Sequence, residues 1–295
     1  MDTSDLAKRM KEYEDARKTR LTRRVPVMIR LDGNAFHTFT RGFERPFDDI
    51  MVEAMQRTMK YLCENISGCV LGYTQSDEIT LLLIDYKSVT QGAWFGYVQR
   101  KVETISASMA TMAFNNAYNE ILTERMKDAL AKCKTSEEET KVKSHYVKYA
   151  RKCGKAMFDS RAWNIPEFEV INEFIWRQND CTRNSIQSVG QANFSHKRLQ
   201  NKNRREIMDM LMLEKKINWN DYPTHLKRGS CCIKEDYFIS KDELPESHRN
   251  NLKPRTLDPE EDEYGVWRSR WIIDTEIPIF TQDRNYVNSR FMNIH

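Results

Sequence analysis

Met28–Asn34 reads MIRLDGN and Gln75–Leu83 reads QSDEITLLL. Each places acidic residues at the edge of an apolar run that reads as a β-strand. In the first, Val27, Ile29 and Leu31 alternate with Met28, Arg30 and Asp32, the period of two expected of a strand, and Gly33 breaks it. In the second, the apolar run Cys69–Tyr73 is followed by a polar, turn-like Thr74–Asp77 and a second apolar run, Ile79–Ile84, which predicts a β-hairpin with Asp77 and Glu78 near its tip. A strand carrying Asp32 beside that hairpin brings three carboxylates together. Such a cluster is costly unless something positive occupies it. Hard oxygen ligands suit Mg²⁺, and two ions roughly 3.5–4 Å apart clamp the attacking and leaving oxygens of a phosphoryl displacement. Spacing alone equally allows a turn-forming Asp32 and solvated hairpin-tip charges.

Outward from this pair, Asp49–Glu64 carries Ile50, Met51, Ala54, Met55, Met59 and Leu62 at helical spacing. Gln91–Asn119 reads as a long second helix with Val102, Ile105, Met109, Met112 and Ala113 on one face, and Ala162–Val170 as a last strand. Strand, helix, hairpin, helix, strand is the ferredoxin-like βαββαβ order of polymerase and cyclase palms, so the expected class is α/β (α+β). Asp5–Arg20 reads as a surface helix, and Glu120–Lys155 as a charged helical arm. Residues 1–240 are expected to form the catalytic core, with the arm at about 120–155, and 241–295 a linker and C-terminal extension. Within that extension, Lys241–Gly265 reads as a loop, and Trp267–Phe280 packs back on the core.

The bulk numbers bound the rest. A chain of 295 residues with 40% hydrophobic and 31% charged residues is soluble and globular, and nothing in it approaches the 18 or so apolar residues of a membrane span. The start is polar rather than a signal peptide, so a cytoplasmic location is expected. Seven cysteines without paired C-x₂-C spacing argue against a disulfide framework and a structural zinc. The formal charge of +4 is too mild to establish a nucleic-acid partner by itself. Local clusters carry that argument: Arg20, Arg23 and Arg24 before the first strand, and Lys197–Arg205 (KRLQNKNRR), the densest basic stretch, with Lys197, Arg198, Arg204 and Arg205 as candidate RNA contacts.

RLDGNAFHTFTRGFERPFD (Arg30–Asp48), GYTQSDE (Gly72–Glu78), FDSR (Phe158–Arg161) and WRQNDC (Trp176–Cys181) together resemble the tRNA-His guanylyltransferase family and its Thg1-like relatives, the 3′-to-5′ nucleotide-adding polymerases. The resemblance spans roughly Met10 to Glu235. It implies Asp32, Asp77 and the Gly33 carbonyl as ligands of two Mg²⁺ ions, with Glu78 auxiliary to the catalytic pair. It further implies ATP or GTP held by the backbone of Asn34, Ala35, Phe36 and His37 and by Arg45 and Lys101, with Ser76 orienting the nucleotide. Arg45 stands where the family has lysine, and basic family residues are missing at Gly96–Val98. The implied partners are tRNA and nucleoside triphosphates, and the implied assembly a homotetramer.

One block departs. After Asp-Cys the guanylyltransferases carry His-Ile-Asn-Asn-Leu-Tyr-Asn, whereas Thr182–Ser188 reads TRNSIQS and keeps one asparagine, Asn184, a further candidate RNA contact. That loss points toward templated repair of truncated tRNA 5′ ends. The alternatives are addition of the extra guanosine to tRNA-His, a palm cyclase or synthase that uses no RNA, and an RNA-binding protein without chemistry.

Overall fold

The structure is a computed structural model that describes residues 2–249, 252–255 and 264–292. Its first half runs α1 (Asp5–Asp15), β1 (Val27–Gly33), α2 (Phe36–Phe39), α3 (Asp49–Asn65), β2 (Cys69–Gln75), β3 (Glu78–Leu83), α4 (Gln99–Ala131), α5 (Ser136–Ala150) and β4 (Phe158–Asn164). The second half adds α6 (Val170–Asn193), α7 (His196–Leu199), α8 (Arg204–Met210), α9 (Thr224–Arg228), β5 (Ser230–Ser240), β6 (Lys253–Pro254), β7 (Tyr264–Asp274) and α10 (Asn285–Asn288). Seven strands form one sheet in the order β4-β1-β3-β2-β5-β7-β6, with antiparallel neighbours throughout. The first four strands and their two crossover helices reproduce the expected βαββαβ arrangement.

β1 lies inside the sheet, paired with β3 and β4, with one face wholly apolar and the other apolar at Met28 before it turns polar at Arg30 and Asp32. Val27, Ile29 and Leu31 enter the core beneath α3 and α4, while Met28 enters a second core under α6. Asp48 starts α3 by accepting the amides of Ile50 and Met51 at 3.1 Å, and its other oxygen takes the Tyr149 hydroxyl at 2.7 Å. At Gly72 a Cβ would stand 2.5 Å from the Cys63 sulfur, so only glycine lets α3 lie this close to β2. The far side of the sheet is closed by α6 and by Ile277, Phe280, Val287 and Phe291, which follow β7.

Several expectations need correcting. The last palm strand is Phe158–Asn164, not Ala162–Val170. FDSR is itself the strand, with Phe158, Ser160 and Ala162 toward α4 and Asp159, Arg161 and Trp163 on the other face. The second palm helix begins at Gln99 rather than Gln91, because the turn before it has left-handed residues at Phe95, Gly96 and Tyr97. The arm is no free projection, since α5 folds back along α4 and buries Tyr149. Arg20, Arg23 and Arg24, offered as phosphate contacts, are spent on structure: Arg20 holds the Gly96 carbonyl, Arg23 pairs with the fully buried Asp85, and Arg24 takes the Ser88 and Val89 carbonyls. α1 buries no residue, and its Leu6, Met10 and Tyr13 remain exposed. β5 and β7 form a long ladder that the sequence reading did not foresee, while the expected loop Lys241–Gly265 falls partly outside the described residues. All seven cysteines are free thiols. Among the described residues no helix is long and apolar enough to cross a membrane.

Candidate active site

The site forms where β1 ends against the β2–β3 turn. Gln75 and Glu78 face each other across that turn, Ser76 adopts a left-handed φ of 51°, and the Gly33 amide donates to the Asp77 carbonyl at 3.0 Å. Gly33 is required here because a Cβ would sit 2.3 Å from the ring of Phe36, which is fixed among Phe39, Phe114 and Phe158. The next residue but one, Ala35, is also left-handed, which folds the chain straight into α2.

Register places Asp32 opposite Glu78 on one side and opposite Asp159 on the other, so three carboxylates line up across three strands on the α6 face. Asp77 adds a fourth at the turn. Their charges are treated differently. Glu78, expected as an auxiliary ligand, is buried and taken up by Arg177 at 3.0 Å and Arg30 at 3.8 Å. Burial pushes its carboxyl up, against the downward pull of those two guanidiniums. Arg30 also pairs with Glu173, and Arg177 with Asp180 at 3.6 Å. Asp159 has Arg161 at 3.9 Å. Among the described residues Asp32 and Asp77 have no ion-pair partner within 4.0 Å.

Both carboxyls of that pair are held above their ordinary values. For Asp32 the cause is burial, then the Asp159 charge, offset by Arg161 and the Gly33 amide; for Asp77 it is burial, then the Asp32 charge, offset by the Ser76 hydroxyl at 3.0 Å. Two partly buried carboxylates that repel each other are hard oxygen donors of the kind that suits Mg²⁺. Among the described residues no three His, Cys, Asp or Glu side chains are grouped to hold a metal ion.

A cavity of about 420 Å³ opens beside this pair, walled by α2, the start of α3, the β2–β3 turn, α6 and α9. Of the sequence-derived candidates, Phe36, His37, Arg45, Ser76, Asp77 and Asn184 line it. Phe36 contributes through its main chain, its ring being core. Among the described residues the amides of Ala35, Phe36 and His37 meet no protein acceptor, whereas that of Asn34 is used on the Met157 carbonyl at 2.8 Å. Arg45 is exposed and has no carboxylate partner among the described residues. Asn184, offered as an RNA contact, faces this cavity and donates to Asp180 at 3.3 Å.

Lys101 is not brought here. It lies in the first turn of α4, over the Phe95 ring at 6.0 Å. That turn packs at the Ala162 end of β4, on the opposite face of the sheet from Asp32. The basic cluster is also elsewhere, around a small core formed by α6, α7 and α8. Lys197, Arg204 and Arg205 are exposed, while Arg198 is bound by both oxygens of Glu214 at 2.7 and 2.8 Å.

Sequence reasoning missed Asp159, Arg30, Arg177 and Gln75. The period of two within FDSR was the available signal for Asp159. Gln75 is buried at the cavity wall, and among the described residues its Oε1 lacks a partner, as does the buried Nδ1 of His225, whose imidazole is held below its ordinary value by burial, against the pull of Glu276 and Asp49.

A family model described as tRNAHis guanylyltransferase matches residues 7–166. A bacterial Thg1-like protein solved with ATP is 39% identical, with 97% of this chain and 98% of that one covered at a TM-score of 0.73. A structure of a bacterial Thg1-like protein with GTP gives 36%, 97% and 99%, and 0.69. An uncharacterized protein of Acanthamoeba polyphaga mimivirus is 29% identical over 231 residues, 75% of this chain and 74% of its own length. With the palm order of the sheet and the acidic strand end already in place, these matches make the chain a member of the tRNAHis guanylyltransferase family of nucleotidyltransferases.

Proposed function

We propose that the protein is a Mg²⁺-dependent 3′-to-5′ nucleotidyltransferase that completes truncated tRNA 5′ ends against the opposite strand of the acceptor stem. The observation that carries this reading is Asp77 on the wall of a cavity of nucleotide size, with the Asp32 charge beside it and no ion-pair partner within 4.0 Å of either carboxylate among the described residues. ATP and GTP in the bacterial relatives support a triphosphate as its occupant. The amides of Ala35 to His37 and the Arg45 guanidinium hold phosphate oxygens there, and Ser76 orients the ribose-phosphate. Gln75 and His225 add buried polar atoms to the cavity wall. Asp32, Asp77 and the Gly33 carbonyl hold Mg²⁺, which when bound offsets the charge on the transferring phosphate.

The chemistry is two displacements at phosphorus. An RNA 5′-monophosphate oxygen attacks the α-phosphate of ATP and releases pyrophosphate, which leaves an adenylylated 5′ end. The 3′-hydroxyl of the incoming nucleotide then attacks the RNA 5′-phosphorus, loses its proton and releases AMP. The protein's part is to position and to neutralise. Thr182 and Ser188 replace the His and Asn of the guanosine-adding enzymes, and Asn184, Ser185 and Ser188 present only short polar groups to the cavity. Base identity is therefore left to pairing with the template. By the same resemblance we place the protein in the cytoplasm as a homotetramer.

The test is a set of tRNAs lacking their first nucleotide and differing only in the base opposite the gap, each offered all four nucleotides. Each should gain the Watson–Crick complement and then stop. Guanosine added whatever the opposing base would replace templated repair by guanylylation.

A further inference from the structure

We propose that Trp176 is the platform on which the 5′-terminal base of the RNA substrate stacks. The inference rests on the tRNA reading above and names where the polymer, rather than the nucleotide, is held. Two substrates must meet at Asp32 and Asp77. The 420 Å³ cleft on the α2 and α3 side suits one nucleotide and is far too small for the end of a tRNA. The polymer has to arrive over a part of the sheet that no helix covers.

Among the described residues one such surface adjoins the carboxylates, the α6-side face of β1 and β4. α3 and α4 pack beneath the sheet, and α6 packs above β2, with Phe174 set against Tyr73. The α6-side face of β1 and β4 carries Arg30, Asp32, Asp159, Arg161 and Trp163, and there Asp159 and Arg161 are exposed. Trp176 projects from the flank of α6 over its edge. The Arg177 guanidinium lies 3.5 Å from the centre of its ring and that of Arg30 4.9 Å, and both of those arginine side chains are almost wholly buried. The indole is nonetheless 52% exposed. The ring is thus held against two cations while about half of the residue stays open to solvent. Arg30, on which the indole rests, precedes Asp32 by two residues on one face of β1, so its backbone lies roughly 7 Å along the strand from that carboxylate.

A single exposed tryptophan is unremarkable by itself. Here it is pinned by two buried guanidiniums, one of them on the strand that carries Asp32, and the exposed Arg161 of β4, whose nearest carboxylate is Asp159 at 3.9 Å, lies on that same face of the sheet. Stacking of a base on such a ring changes affinity by about tenfold to a hundredfold and tolerates any base. That tolerance is what an enzyme needs if the template alone chooses the nucleotide.

The experiment compares wild type, Trp176→Ala and Trp176→Phe on a truncated tRNA carrying 2-aminopurine as its 5′-terminal base. Thermal midpoint, ATP affinity, KM for the RNA and quenching of the 2-aminopurine are measured. Trp176→Ala should raise the RNA KM about tenfold or more and abolish the quenching, with ATP affinity and the midpoint unchanged. Trp176→Phe should recover most of both RNA effects. An unchanged RNA KM in Trp176→Ala overturns the proposal, as does quenching that survives in that variant. If wild type neither binds nor extends the truncated tRNA, the tRNA reading itself falls, and this inference with it.

Discussion

Replacing Asp32 or Asp77 by Asn removes one charge from a pair that has no cation beside it, and the consequence for stability runs opposite to that for activity. Two carboxylates at the roughly 5–7 Å spacing of neighbouring strands repel by about 3 kcal/mol at an effective dielectric near 20, and by well under that where solvent reaches them. The partial exposure of both side chains places the repulsion near 1 kcal/mol. Asn keeps the acceptor that the Ser76 hydroxyl uses on Asp77, so the apo variant should melt about 2 °C higher than wild type, or at least no lower. Activity should fall by about 10³-fold, near 4 kcal/mol, because a carboxylate that would hold the Mg²⁺ offsetting transition-state charge is gone. The pH dependence has a definite sign. A carboxyl raised above its unfolded value costs stability once ionised, so wild type should gain on the variants as pH falls through the raised values toward 3.8. Adding Mg²⁺ at neutral pH should reverse the order of the melts, since only the ionised pair binds it. Calorimetry with and without Mg²⁺, beside single-turnover rates, makes the comparison. Apo variants that lose stability in step with activity would show the pair to be structural and refute the reasoning.

Two further outcomes follow from the geometry. Neutralising Lys197, Arg204 and Arg205 together should weaken RNA binding and reduce its log–log salt slope by about three, while Arg198→Ala, whose charge Glu214 already occupies, should change the slope far less; filter binding over a salt series reads this, and equal slopes for all four positions would discard it. Gly33→Ala should cost about 1–3 kcal/mol and activity besides, because its Cβ can be admitted only by moving Phe36 out of the aromatic cluster; a variant with the wild-type melting point would show that the loop has room.

What was legible in the sequence was whatever packing writes into apolar periodicity. The alternation through Met28–Asp32 and the run after Glu78 announced β1 and the hairpin, because those strands are buried on both faces. β4 was placed too late for the opposite reason. Its α6 face carries Asp159, Arg161 and Trp163, so its polarity reflects the open site rather than the core. The β5–β7 ladder was missed because it lies toward the sheet edge, where Lys234, Asp236, Arg268 and Arg270 interrupt the pattern. Arg30 and Arg177 lie in distant segments, and only the fold brings both to Glu78. Family resemblance named Asp32, Asp77, His37 and Arg45, but it could not say that Glu78 is occupied or that Lys101 lies across the sheet.

That occupancy explains how four carboxylates at one strand end are tolerated. Desolvating Glu78 is offset by Arg177 and Arg30, and Asp159 leans toward Arg161, so the unbalanced negative potential is left at Asp32 and Asp77 alone. α6 organises both sides of this arrangement. Trp176 and Arg177 occupy its flank near β1, while Cys181, Asn184, Ser185 and Ser188 wall the nucleotide cavity about 18 Å or less further along the same helix. One helix carries both surfaces, so on the proposed reading substitutions in Thr182–Ser188 change what the cavity offers a nucleotide and leave the Trp176 face in place, and choice of nucleotide and grip on the polymer can diverge independently.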